Sequence, residues 1–258
     1  MVRSWIRSAA LLAVVALLAA ACGGNNSSSG GGSASPTEIK VFAAASLTAA
    51  FNKIGQDYTA ANPNTKVTFN YAGSQALATQ IRQSAPADVF ASANASNMDK
   101  VIEGGAAESS ENFVTNQLQI AVPAGNPGQV DGLDDFANGK LLIGLCAEDV
   151  PCGEFGREAL EKAGVTPQVD TNEADVRSLL TKIESGDLDA GIVYVTDVLA
   201  AGDKVEGVDI PAEDNVTATY PIAALTDAGN AEVAQAFVDF VLSDEGQEIL
   251  TSYGFDSP

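Results

Sequence analysis

Ile39-Lys-Val-Phe-Ala-Ala-Ala-Ser-Leu-Thr48 is the stretch on which the fold turns. Its first six residues, Ile39 to Ala44, are apolar apart from Lys40 and read as a buried strand. From Leu47 the period changes. Leu47, Phe51, Ile54 and Tyr58 recur at helical spacing until Asn62-Pro63 ends the pattern. A strand passing directly into a helix is the repeating unit of an α/β protein, and the unit recurs outward from here.

Lys66–Tyr71 predicts a second strand, Gln75–Gln83 a helix, Asp88–Ser92 a third strand, Ser96–Glu103 a helix and Gln117–Val122 a strand. A break follows at Pro123-Ala-Gly-Asn-Pro127. A second series then runs through strand Lys140–Leu145, helices Phe155–Ala163 and Ala174–Glu184, strand Ala190–Val193 and helix Val195–Ala200. Thr217–Leu225 reads as a strand interrupted at Tyr220-Pro221, and Ala231–Tyr253 as one long amphipathic helical region. The alternation predicts α/β architecture with mainly parallel sheets. Two lobes (38–122 plus 221–258, and 123–220) and one continuous doubly wound sheet both satisfy it, because periodicity does not report which strands pair.

The N-terminus reads as an address. Arg3 and Arg7 precede a thirteen-residue apolar run, Ala9–Ala21, too short for a membrane span and suited to a secretory signal. Ala19-Ala20-Ala21-Cys22 resembles the lipobox of bacterial lipoproteins, with Ala19 where Leu is usual and Leu18 one place earlier. On this reading residues 1–21 are removed and Cys22 is lipidated; an ordinary signal cut near Ala21 would instead leave a free thiol. Gly23–Thr37 contains only Gly, Asn, Ser, Ala, Pro and Thr, so 22–37 is expected to be a flexible tether with a reach of about 50 Å when extended. No later stretch approaches a span, and the body is expected to be soluble. Outside the cell, Cys146 and Cys152 are then the remaining pair, and a disulfide is expected between them.

Composition narrows the chemistry. The 258 residues carry 13 Lys+Arg against 34 Asp+Glu, no His, and a formal charge of -21; loss of Arg3 and Arg7 with the leader would make it -23. Absence of His removes Ser-His-Asp and Cys-His catalysis and His-ligated zinc. So acidic a chain is unsuited to nucleic acid, whose affinity comes from Lys and Arg on phosphates. Charge alone also argues against an anionic ligand. No Gly-x-Ser-x-Gly elbow, phosphate loop or dinucleotide fingerprint follows a strand.

Small hydroxyl residues gather where strands end. Ser46 follows the first strand and would be a good N-cap, worth about 1 kcal/mol; the same position offers free N–H groups and a helix dipole to an anion. Tyr71-Ala-Gly73-Ser74-Gln75 repeats the arrangement after the second strand. Val150-Pro-Cys152-Gly153 and Ala174-Asp-Val176-Arg177 each open a helix, and Gly191-Ile-Val-Tyr194 ends a strand with a phenol. Each has a bland reading as turn, cap or core edge. Their convergence matters because ligands of open α/β sheets bind at the carboxyl ends of strands.

In this order the segments resemble the molybdate-binding proteins of ATP-driven import systems, from Ile39 to Phe255. The likeness is carried by Val41-Phe-Ala-Ala-Ala-Ser-Leu-Thr48, Ala85-Pro-Ala-Asp-Val-Phe-Ala-Ser-Ala93, Ala174-Asp-Val-Arg177, Gly191-Ile-Val-Tyr194 and Tyr253-Gly-Phe255. The resemblance implies a two-lobed, type II-like periplasmic-binding-protein fold with a double-crossover hinge and a cleft for a tetrahedral oxyanion. It places hydroxyl ligands at Ser46, Ser74 and Tyr194, and backbone donors at Ser46, Ser74, Cys152 and Val176. Cys152 stands where relatives often have Ala, and Gly73 and Gln75 depart from a serine-rich loop. The implied protein is a monomeric, lipid-anchored receptor on the outer face of the cytoplasmic membrane. It would deliver molybdate, and tungstate with it, to a membrane permease, without cofactor or catalysis; molybdenum would enter only as the oxyanion. Physical chemistry agrees, since a fully ionised dianion needs donors only. Receptors for sulfate or another small oxyanion, and an extracytoplasmic hydrolase, are the alternatives.

Overall fold

The computed structural model describes residues 36–258. The expected signal segment, Cys22 and the tether up to residue 35 lie outside the described residues.

Strand β1 (Thr37–Ala44) pairs in parallel with β2 (Thr65–Ala72) on one side and β3 (Val89–Ala91) on the other. It is covered on both faces. Ile39, Val41 and Ala43 share a core with Phe51 and Ile54 of helix α1 (Thr48–Ala61), whereas Phe42 packs in a second core with Leu77 and Ile81 of α2 (Ser74–Arg82). Two-sided burial from Val41 onward is why Val41–Ala44 reads as a continuous apolar run, whereas Lys40 before it is exposed. Helix α3 (Ala95–Glu103) adds Met98 and Val101 to the second core.

The middle of the sheet is antiparallel. β9 (Thr217–Ala224) joins β3 to β4 (Glu111–Pro123), and β4 then pairs with β7 (Ala190–Tyr194) and β8 (Val205–Asp209), all antiparallel. Beyond β7 the sheet is parallel again through β5 (Ile143–Cys146) and β6 (Thr171–Glu173). The order is β2-β1-β3-β9-β4-β7-β5-β6, with β8 on β4. The expected mainly parallel sheet is therefore a mixed one. Its two outer parts are parallel, and the strands that carry the chain out of one half and back into it lie antiparallel at the centre.

Partners along β4 change between Gln117 and Leu118, ahead of the break expected at Pro123-Ala-Gly-Asn-Pro127. Leu118, Ile120 and Val122 are as buried as Phe113 and Val114, so the ladder has no reason to stop before Pro123. β9 likewise runs through Tyr220-Pro221 without interruption. Pro221 sits opposite Asn112, where the register of β4 shifts, and a bulge tolerates the missing N–H. β6 and β8 have no apolar run and leave no sequence signal.

The second half carries α4 (Pro151–Lys162), α5 (Val176–Glu184) and α6 (Val195–Ala201). The C-terminal helical region comprises two helices, α7 (Ala231–Leu242) and α8 (Asp244–Ser252). Ser243 is extended between them (φ -69°, ψ 163°) and its Oγ accepts from Gly246 N at 3.3 Å, capping α8. Gly246 is required there, because a Cβ would lie 2.3 Å from the Phe240 carbonyl oxygen. Among the described residues no helix is long and apolar enough to cross a membrane.

Candidate functional site

The carboxyl ends of β1, β2 and β7 meet the N-termini of α4 and α5 around one cavity. Its walls are Ala44–Ser46, Gly73–Ser74, Ala93, Val150–Cys152, Asp175–Val176 and Tyr194. All five residues singled out in the sequence, Ser46, Ser74, Cys152, Val176 and Tyr194, line it. Helices α2, α4 and α5 begin at its wall with Ser74, Pro151–Cys152 and Val176, and the first-turn N–H groups of a helix have no intrahelical acceptor.

The hydroxyls are held differently from the expectation. Ser46 does not cap α1. It lies in a 3₁₀ turn, Ala45–Leu47, and its Oγ is 3.0 Å from Tyr220 Oη. The turn is fixed instead by Thr48 Oγ1, which donates to Ala45 O at 2.6 Å. Ser74 is the first residue of α2, after Gly73 at the cap position, and its Oγ accepts from Ala93 N at 3.0 Å. Tyr194 is buried and its hydroxyl has no hydrogen-bond partner. Burial pushes the Tyr194 phenol well above its ordinary pKa, with the Tyr220 hydroxyl and the Asp197 carboxylate adding to the effect. It therefore remains an O–H donor.

Cys146 and Cys152 are disulfide-bonded, closing a short turn at the start of α4. In the chain-entropy picture so short a loop stabilises by about 2 kcal/mol. Arg157 clasps the same turn, Nη1 donating to Cys146 O at 2.8 Å and Gly153 O at 3.0 Å, and Nη2 to Asn172 Oδ1 at 2.6 Å. Gly153 fits because a Cβ would lie 1.9 Å from the Ala147 carbonyl oxygen. Arg157 thus serves the loop, and Arg177 lines an outer groove with Thr48 and Tyr71; among the described residues no Lys or Arg lines the cavity. Among the described residues no group of three or more Cys, Asp or Glu is placed to hold a metal ion.

Two carboxylates stand close by. Asp175 caps α5, Oδ1 accepting from Ser178 N at 2.9 Å and Oδ2 from Ser178 Oγ at 3.0 Å. Asp197 is buried beneath Tyr194 and accepts from its backbone N at 3.2 Å. Burial raises the Asp197 carboxyl to about 7, against the lowering effect of that N–H and of Arg177. The sequence reading missed Asp197, although its place three residues after the helix-opening Tyr194 follows the spacing of a capping box. It also gave no structural role to Tyr220, which reaches Ser46 across 174 residues of chain.

The two halves touch over the cavity. Gln75 Nε2 donates to Ala174 O at 3.2 Å and Asn94 Nδ2 to Glu154 Oε2 at 2.8 Å. A Cβ on Gly73 would lie 2.6 Å from Ala174 O. Gly73 and Gln75, where the sequence departs from a serine-rich loop, thus lie against Ala174 of the other half.

Residues 39–256 match the family model described as bacterial extracellular solute-binding protein. The molybdate-binding protein ModA of Mycobacterium tuberculosis is 40% identical over 230 residues, covering 87% of this chain and 88% of that protein. Among solved structures, the periplasmic molybdate-binding protein of Azotobacter vinelandii superposes with a TM-score of 0.76 at 19% identity, covering 85% of this chain and 99% of that one. The sulfate-binding protein SubI of Mycobacterium tuberculosis gives 0.78 at 17%, covering 86% and 87%. At these identities the two structures speak for the fold, which is the two-lobed α/β arrangement of periplasmic binding proteins.

Proposed function

Because the chain belongs to the bacterial extracellular solute-binding proteins, we propose that it captures molybdate, and tungstate with it, and passes the anion to the permease of an ATP-driven importer. The observation that carries this reading is a cavity lined by buried hydroxyls and helix N-termini and, among the described residues, by no cation, with the hydroxyl of Tyr194 making no hydrogen bond of ordinary geometry. A buried donor without an acceptor is costly, and a fully ionised tetrahedral oxyanion supplies acceptors to every side. In this reading Ser46, Ser74 and Tyr194 donate O–H, and Ser46, Ser74, Cys152 and Val176 donate backbone N–H. The ligand set involves binding alone, with no bond made or broken in the anion.

The lobes, expected as 38–122 plus 221–258 and 123–220, are proposed to move about β4 and β9 and to close across Gly73 and Ala174. Cys22 would anchor a monomer to the outer face of the cytoplasmic membrane through the 22–37 tether. The similarity to a molybdate-binding protein over most of the chain supports the choice of ligand. Thermal unfolding of the tag-free body with molybdate, tungstate, sulfate or phosphate tests it. Molybdate and tungstate at a thousandfold excess over Kd should stabilise by about 4 kcal/mol, sulfate and phosphate far less. A shift with sulfate alone would assign the cavity to sulfate, and no shift with any of the four would remove the oxyanion reading.

Closure gives a separate prediction. Gly73→Ala places a methyl group against the Ala174 carbonyl of the opposite lobe and against the Gln75 side-chain amide of its own. The flexible Gln75 side chain can swing aside in the open form, whereas the backbone carbonyl cannot, so the closed form is the one disfavoured. Molybdate affinity should fall by about tenfold or more, the equivalent of 1.4 kcal/mol, with the ligand-free melting temperature little changed. Equal affinity in calorimetry would show that the lobes need not approach this closely.

A further inference from the structure

Tyr220 has no place in the ligand set, yet it is among the most buried side chains of the protein. Its ring is boxed edge-on by Phe113, Tyr194 and Phe255 at centroid distances of 6.4, 6.0 and 5.7 Å. Phe255 arrives through the terminal Tyr253-Gly254-Phe255 segment, where Gly254 takes φ +90° and Asp256 pairs with Thr115 of β4. That box leaves the Tyr220 hydroxyl one position, 3.0 Å from Ser46 Oγ.

A serine hydroxyl has one proton to give and can accept as well. Facing an anion that only accepts, Ser46 is useful only when its proton points into the cavity, and its neighbour must then act as the donor to Oγ. We propose that Tyr220 is a positioning residue whose hydroxyl donates to Ser46 Oγ and thereby commits the Ser46 proton to the oxyanion. Ser74 has the same arrangement built with backbone, since Ala93 N–H donates to its Oγ at 3.0 Å. The Tyr194 hydroxyl, which stands near that of Tyr220, makes no hydrogen bond of ordinary geometry to any described residue. Each of the three hydroxyls is left with its proton free for the ligand. Burial raises the Tyr220 phenol above its ordinary pKa, so it stays protonated and able to donate.

The proposal rests on the oxyanion reading, and the experiment separates the two. Sodium molybdate is titrated calorimetrically into the wild type, Tyr220→Phe, Ser46→Ala and the double variant. Tyr220→Phe keeps the ring and its edge contacts, and its ligand-free melting temperature checks the fold. It should weaken molybdate binding by about tenfold, the worth of one hydrogen bond to a charged group. In the Ser46→Ala background the same change should matter by less than about twofold, because the two side chains act as one unit. A loss of equal size in both backgrounds, or none in either, overturns the positioning role. A wild type that does not bind molybdate overturns the oxyanion reading and this proposal with it. Independently of any variant, a slowly exchanging Tyr220 hydroxyl proton with nuclear Overhauser contacts to the Ser46 β-protons is expected in the molybdate complex. A Ser46 hydroxyl proton directed at Tyr220 Oη overturns the assignment.

Discussion

Removing the three cavity hydroxyls together (Ser46→Ala, Ser74→Ala, Tyr194→Phe) is expected to weaken molybdate binding by about a thousandfold or more. A hydrogen bond to a charged group contributes about 1.5–3 kcal/mol, and each 1.4 kcal/mol is tenfold in affinity. The single variants should divide by what each hydroxyl does in the free protein. Tyr194→Phe deletes a buried hydroxyl that has no partner, so the ligand-free protein should be as stable as the wild type or slightly more so, while binding weakens. Ser74→Ala strips the Ala93 N–H of its acceptor and should lower stability by about 1 kcal/mol as well. Opposite signs in melting temperature with the same sign in affinity would mark Tyr194 as a group kept for the ligand at the expense of the fold. The ligand assignment fails if the triple variant binds molybdate within about threefold of the wild type, a difference worth less than 1 kcal/mol.

The second large effect is on stability against pH, through Asp197. Its carboxyl is buried and raised from an ordinary 3.8 to about 7, chiefly by loss of hydration, with Asp175 adding to the rise and the Tyr194 N–H and Arg177 opposing it. The folded state therefore holds this proton more tightly than the unfolded chain. The contribution to stability is full below pH 4, falls as pH rises, and is lost by the time pH passes 7. That span corresponds to a change on the order of 4 kcal/mol. Asp197→Asn keeps an oxygen for the Tyr194 N–H and removes the titration. Urea unfolding between pH 5 and 8.5 should show a flatter profile for the variant, with its largest gain over the wild type, about 1–3 kcal/mol, at the alkaline end. Parallel profiles for the two proteins would place the titration elsewhere.

Net charge was a poor guide to the ligand. A net charge of -21 argues against anions, yet the cavity is walled by hydroxyls and helix N-termini, and the Asp175 carboxylate on its wall is engaged in capping α5. Long-range charge governs encounter and solubility, whereas the groups within a few ångströms govern what a dry cavity holds. The cavity's residues were legible because each sits where a strand or turn hands over to a helix, or ends a strand with a phenol. What they do there was less legible. Ser46 reads as an N-cap from its neighbours in sequence, and only the approach of Tyr220 shows its oxygen occupied from another direction.

Local pattern thus determined the elements that depend on nearest neighbours. The burial of β1, the period of α1 and the small residues at strand ends follow from side-chain volume and hydration, which any stretch of ten residues carries. Pairing does not. That β4 changes partners at Gln117–Leu118, that β9 runs through Pro221 opposite a register shift, and that the centre of the sheet is antiparallel are set by which strands bury each other's edges. The same holds for the packing of Phe255 on Tyr220, of Tyr220 on Ser46, and of Gly73 against Ala174. Those contacts join residues far apart in the chain, and their energy exists only once the sheet has brought them together.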